Sequence, residues 1–192
     1  MTYEATLLKL ADGTERVILQ LWDAVAQGVL TVDEFRALAA DLVQLANSQG
    51  AAVAQLAFRA YLEAHDQAPT RVTSTTWPAG EQQRLDQALA TILGSDLDTA
   101  MQLGRLARNE PLDAAASAYQ AELDASPRVS GWRRQVETDG CQLCQWWARE
   151  GRVFQPSHRM PRHPGCTCHQ VPVVDEQTTN HQTTQQARRA AH

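Results

Sequence analysis

All four cysteines of the chain, and three of its six histidines, fall between residues 140 and 173. Cys141 and Cys144 form CxxC; after eighteen intervening residues, His163, Cys166 and Cys168 form HxxCxC. Two short-spaced ligand pairs joined by a loop suit a tetrahedral ion, because each pair delivers two donors from one tight turn and the loop brings the pairs together. Cys141, Cys144, His163 and Cys166 make a matched set. Cys168 competes for a place in the second pair, since residues i and i+2 of an extended segment point to the same side. The spacing predicts one structural zinc ion, with the choice between Cys166 and Cys168 open. A catalytic ion would need a general base nearby, and Glu150 is the only carboxylate between the ligand pairs. Three other chemistries compete. A thioredoxin-like redox pair requires a βαβ unit, and no such pattern surrounds the CxxC. Disulfides fit poorly, because CxC is badly spaced to bridge to itself. Buried thiols without a metal are the bland alternative.

The neighbours of these donors have expected roles too. His158 and His169 read as surface residues or supports of the ligands. At least one of Trp146 and Trp147 should roof the metal site, and Trp132 should pack on the same small core. Arg133, Arg134, Arg149, Arg152, Arg159 and Arg162 read as a mainly solvated basic face, with contact to nucleic-acid phosphates as the minority alternative.

Something must hold the cluster in place, and the preceding 127 residues read as helix. Apolar residues recur at three- and four-residue steps from Tyr3 to Gln27, closed by Gly28. Thr31 with Glu34 is a capping-box pattern opening a second helix to about Ala64, some 33 residues if Gly50 does not break it. Residues 67 to 80 are rich in Thr, Pro and Ser and read as a loop or linker. Helical patterns follow over Glu81 to Leu93, Asp96 to Arg108 and Pro111 to Ala125, with Pro111 in the first turn of the last. After Pro127 the texture changes: β-leaning residues at 129 to 136, a short helix from Gln142, and short strands near Arg152 to Phe154 and His169 to Val174. A lobe of about 45 residues buries little core alone, so a cross-link is physically expected. Residues 175 to 192 lack large apolar side chains and read as a disordered tail. The expected architecture is mainly α: an extended N-terminal helical hairpin or bundle (1–127), a small α+β zinc-knuckle lobe (128–174) and a polar tail (175–192).

Charge follows the same division. Residues 1 to 127 hold 8 Lys plus Arg against 17 Asp plus Glu, while residues 128 to 170 hold 7 against 3. An acidic body carries a basic end. No run of 18 apolar residues and no secretory signal is readable, which predicts a soluble chain made in a cytoplasm, where thiols stay reduced.

The segments GWRRQV, CQLCQWWAREGRVF and HPGCTCHQVPV together resemble the cysteine-histidine module of phage Mu F-like minor capsid proteins, especially those of actinobacteriophages. The match covers roughly residues 129 to 174; the helical part, including RLARNEPLDAAASAYQ, looks like the usual lead-in. The resemblance implies a non-enzymatic minor structural protein of a tailed-phage head. It would be present in several copies, dock by its helices on portal or major capsid subunits during assembly, and reside in the capsid interior or at the portal vertex. Related genes have been labelled capsid maturation proteases, but Ser157 and His158 stand in a loop with no acid or base partner at a defensible spacing. A free zinc-knuckle nucleic-acid binder is the other alternative. The chain stops after eighteen polar residues, which predicts no appended toxin or enzyme domain.

Overall fold

A computed structural model describes residues 2–65, 80–136 and 140–174. The expected loop at 67–80, except Gly80, and the polar tail at 175–192 lie outside the described residues. Among the described residues, four long helices precede a small mixed lobe. Helix α1 (Tyr3–Ala26) opens on Thr2, whose hydroxyl accepts from the Ala5 amide. Helix α2 (Val32–Ala64) opens on the complete capping box: the Glu34 amide donates to the Thr31 hydroxyl while the Thr31 amide donates to the Glu34 carboxylate at 2.8 Å. Two of the amides left unpaired at a helix start are satisfied in this way. Helix α3 spans Glu81–Leu93, and helix α4 (Thr99–Ala125) is capped by Asp98.

The sequence suggested two helices on either side of residues 109 and 110. The structure has one, with Pro111 in its interior. Proline removes a helical amide and normally costs about 3 kcal/mol there. Its surroundings offset that cost. Pro111 is buried where α4 crosses α2, and an added Cβ on Gly50 would come within 2.4 Å of its carbonyl oxygen. Gly50 therefore survives inside a 33-residue helix because the crossing needs its bare backbone. Beside it, buried Asn47 donates to Glu110, whose carboxylate also takes Arg84 at 2.6 Å, so α2, α3 and α4 share one polar knot. Gly50→Ala forces a methyl against the Pro111 backbone. It is expected to destabilise the protein by about 1–3 kcal/mol in urea unfolding, whereas Gly13→Ala, with open space around it, should stabilise slightly through helix propensity.

Helix α4 packs against both α1 and α2, and α3 closes one end of α2. Two apolar cores result. One gathers Ile18, Phe35, Val43, Leu85, Leu89 and Leu103. The other holds Leu7, Phe58, Leu62, Leu112, Tyr119 and Leu123, and it takes in Val129 and Trp132 from the lobe.

The lobe contains strand β1 (Val129–Gln135), helix α5 (Gln142–Ala148), a 3-10 turn at Arg149–Gly151 and strand β2 (His169–Val174). Strands β1 and β2 pair antiparallel, Trp132 opposite Pro172, with an irregularity between Val129 and Gly131. On the far side of β1, among the described residues, only Phe154 bridges to Trp132, so the expected strand at 152–154 reduces to a single paired residue. Trp132 is fully buried, stacks on Phe154 at 4.6 Å and donates its indole N–H to the His158 carbonyl. It thus enters the helical core and not, as the sequence suggested, the small core around the cysteines. Further bonds fasten the lobe. Gln120 of α4 donates to the Pro156 carbonyl, Gln170 donates to Gln120, and the Tyr61 hydroxyl of α2 donates to the Pro172 carbonyl at 2.7 Å.

Candidate metal centre

Three short segments carry the donors. Cys141 is the N-cap of α5 and Cys144 lies one turn inside, so a CxxC at a helix start turns both thiols to one side. The second segment, His163 to Cys166, is a tight turn in which the Cys166 amide bonds the His163 carbonyl and Gly165 takes a positive φ of 74°. That turn is pinned to α4, because the Gly165 amide donates to the Asn109 side chain at 2.6 Å. Cys168 follows at the edge of β2.

All five predicted donors come together in two overlapping groups that share Cys144: Cys141 with Cys144 and His163, and Cys144 with Cys166 and Cys168, each within 4.8 Å. All four cysteines are free thiols, three of them buried and Cys141 exposed. The Cys144 and Cys166 sulfurs are 3.6 Å apart, and His163 Nε2 lies 3.2 and 3.1 Å from the sulfurs of Cys141 and Cys144. Zinc–sulfur bonds of about 2.3 Å in a tetrahedron require sulfurs about 3.8 Å apart, so the donors stand close to the spacing an ion would impose. The imidazole is oriented for it as well. A backbone carbonyl can only accept, so the 2.9 Å contact of Nδ1 with the Pro164 oxygen places the proton on Nδ1 and turns the Nε2 lone pair toward the thiols.

Electrostatics divides the thiols. The Cys168 hydrogen bond, then neighbouring donors and the Arg162 charge, hold Cys166 down at about 4. The same bond and burial push Cys168 well above the ordinary thiol range. Burial lifts Cys144 to about 11, while the Cys144 amide draws exposed Cys141 down. The donor set is soft and nitrogen-tempered, the chemistry that suits a zinc-like divalent ion more than a hard oxygen-seeking one.

Trp147 stacks over His163 at 6.3 Å, as expected of a roof, whereas Trp146 is 67% exposed. His158 is exposed and stacks on Phe154. His169 is half-buried, its Nδ1 2.9 Å from Glu4 of α1 though off the direction of a good hydrogen bond, and burial lowers its pKa. Among the arginines, Arg133, Arg149, Arg152 and Arg159 are exposed. Arg162 turns inward to the carbonyls of Leu112 and Cys166, with Asp113 at 3.5 Å, and Arg134 is buried against the sulfurs. Sequence reasoning placed both in a solvated face. The signal for Arg134 was available in β1, where it stands two residues from Trp132 and so on the same side of the strand.

A helical body bearing a small two-stranded lobe built around a Cys/His cluster is the class of protein these features define. The chain belongs to the VG15 protein family, which it matches over residues 1–190, and it is thereby a phage-related protein. No curated protein and no solved structure matches it. No helix among the described residues is long and apolar enough to cross a membrane.

Proposed function

We propose that this protein is a non-enzymatic minor structural component of a tailed-phage head, of the Mu F-like kind, that docks on portal or major capsid subunits through its helices. One structural zinc ion sets its C-terminal lobe. The observation that carries the docking is on α2. Leu38, Leu42, Leu45, Gln49, Ala52 and Leu56 succeed one another at alternating four- and three-residue steps, and Leu45 and Leu56 are 55% and 65% exposed. A seam with that period, apolar except at Gln49, is what a partner helix packs into. Beside it Leu10, Gly13 and Val17 of α1 complete a shallow groove. Phage kinship supplies the setting, and the exposed arginines 133, 149, 152 and 159 supply a basic surface for packaged DNA on the lobe.

Leu45→Glu tests the docking. The side chain is exposed, so the variant should fold with unchanged helix content, yet its incorporation into phage heads should fall at least about tenfold, the scale of one lost apolar anchor. Incorporation at the level of the unaltered protein would remove this face from the interface. Normal capsid processing in a Ser157→Ala phage is the expected result for a non-catalytic role; blocked processing would favour the protease reading.

A further inference from the structure

Arg134 is 6% exposed and, among the described residues, has no carboxylate within 4.0 Å. A buried guanidinium without a counter-charge is costly, so native structures pair it. Arg162, the other arginine turned toward the cluster, has Asp113 at 3.5 Å. Arg134 instead points Nη1 at two sulfurs, Cys144 and Cys166, each 4.0 Å away. Its remaining contacts, the Pro161 carbonyl and the face of Trp147 at 5.3 Å, orient the group without neutralising it.

We propose that Arg134 is the positioning and charge-balancing residue of the metal clamp, and that it selects Cys141, Cys144, His163 and Cys166 as the ligands, leaving Cys168 a supporting thiol. This presupposes the zinc reading above. Charge decides the set. A divalent ion with two thiolates and two neutral ligands is uncharged and would leave Arg134 buried with no counter-charge among the described residues. Four thiolates leave one negative charge after Arg134 is counted. Three thiolates and one imidazole carry a single negative charge, which Arg134 cancels. Position decides between the last two cysteines: the guanidinium caps Cys144 and Cys166, and hydrogen bonds to ligand sulfurs hold them in the thiolate form and in place.

Zinc affinity of the full-length protein, measured by chelator competition, tests the role. In Arg134→Met it should weaken about ten- to a hundredfold, the scale of lost outer-shell support. Arg134→Lys, which keeps the charge, should remain within about threefold. A structural role for the guanidinium alone would not be rescued by lysine. Cobalt substitution supplies a second measurement that needs no change at Arg134. Cys166→Ser should lose one thiolate's share of the charge-transfer absorption, and Cys168→Ser should keep the full band. If the unaltered protein binds zinc and Arg134→Met binds it equally, or if the cobalt results for the two serine variants are interchanged, the role is overturned while the clamp stands. If the unaltered protein binds no zinc, the clamp itself fails and the role falls with it.

Discussion

Trp132→Ala is expected to destabilise the protein by about 3–5 kcal/mol, the cost of emptying a fully buried aromatic site, with a fall in Tm of roughly 10 °C. Trp132 reaches from the lobe into the core formed by Phe58, Leu112, Tyr119 and Leu123, and its indole N–H satisfies the His158 carbonyl. Alanine leaves a cavity between two parts of the chain and strands that oxygen. Trp132→Phe keeps most of the apolar volume and loses only the hydrogen bond, so it should cost about 1–2 kcal/mol less than the alanine variant. Both are read by urea unfolding monitored through helix ellipticity. A loss below about 1 kcal/mol for alanine would mean that the lobe contributes little to the stability of the helices.

Removal of the proposed zinc ion is expected to have the second large effect, and a more local one. In peptides that depend wholly on zinc, binding supplies on the order of 10 kcal/mol of folding free energy. Here the lobe is also held by Trp132, by Gln120 and by the Asn109 contact to the Gly165 amide. Chelation, or Cys144→Ser, should therefore release residues 140–168 to proteolysis and fast amide exchange while the ellipticity of α1 to α4 is largely retained. Cys144 is the sharpest choice because it belongs to both donor groups. Unchanged protease resistance after exhaustive chelation would remove the ion from any structural role.

The parts of this molecule legible in its sequence were those set by local rules. The capping box at Thr31 and Glu34 and the apolar period after it specify α2 through Ala64, because both signals act within a few residues. The gathering of Cys141, Cys144, His163, Cys166 and Cys168 was legible for the same reason: short spacings keep side chains together and survive in sequence. Pro111 misled because the local preference of proline for a first helical turn is weak beside the packing of α4 on Gly50, a residue 61 positions away. Trp132 misled because a strand residue gives no sign of which of two cores its face will meet. The apolar period of α2 runs through buried Phe35 and exposed Leu45 and Leu56 alike; periodicity reports that a face is apolar and not what covers it.

One consequence of the small sheet concerns crowding. Trp132 directs its amide and carbonyl to Phe154, so its pairing with Pro172 is of the non-hydrogen-bonded kind, and the proline nitrogen faces outward from β2. At that point the margin of the sheet offers no donor, and its one acceptor is already taken by the Tyr61 hydroxyl. A bare margin would invite a strand from a neighbouring molecule. Sealed in this manner, the strand gives a second copy brought alongside no backbone foothold at this residue.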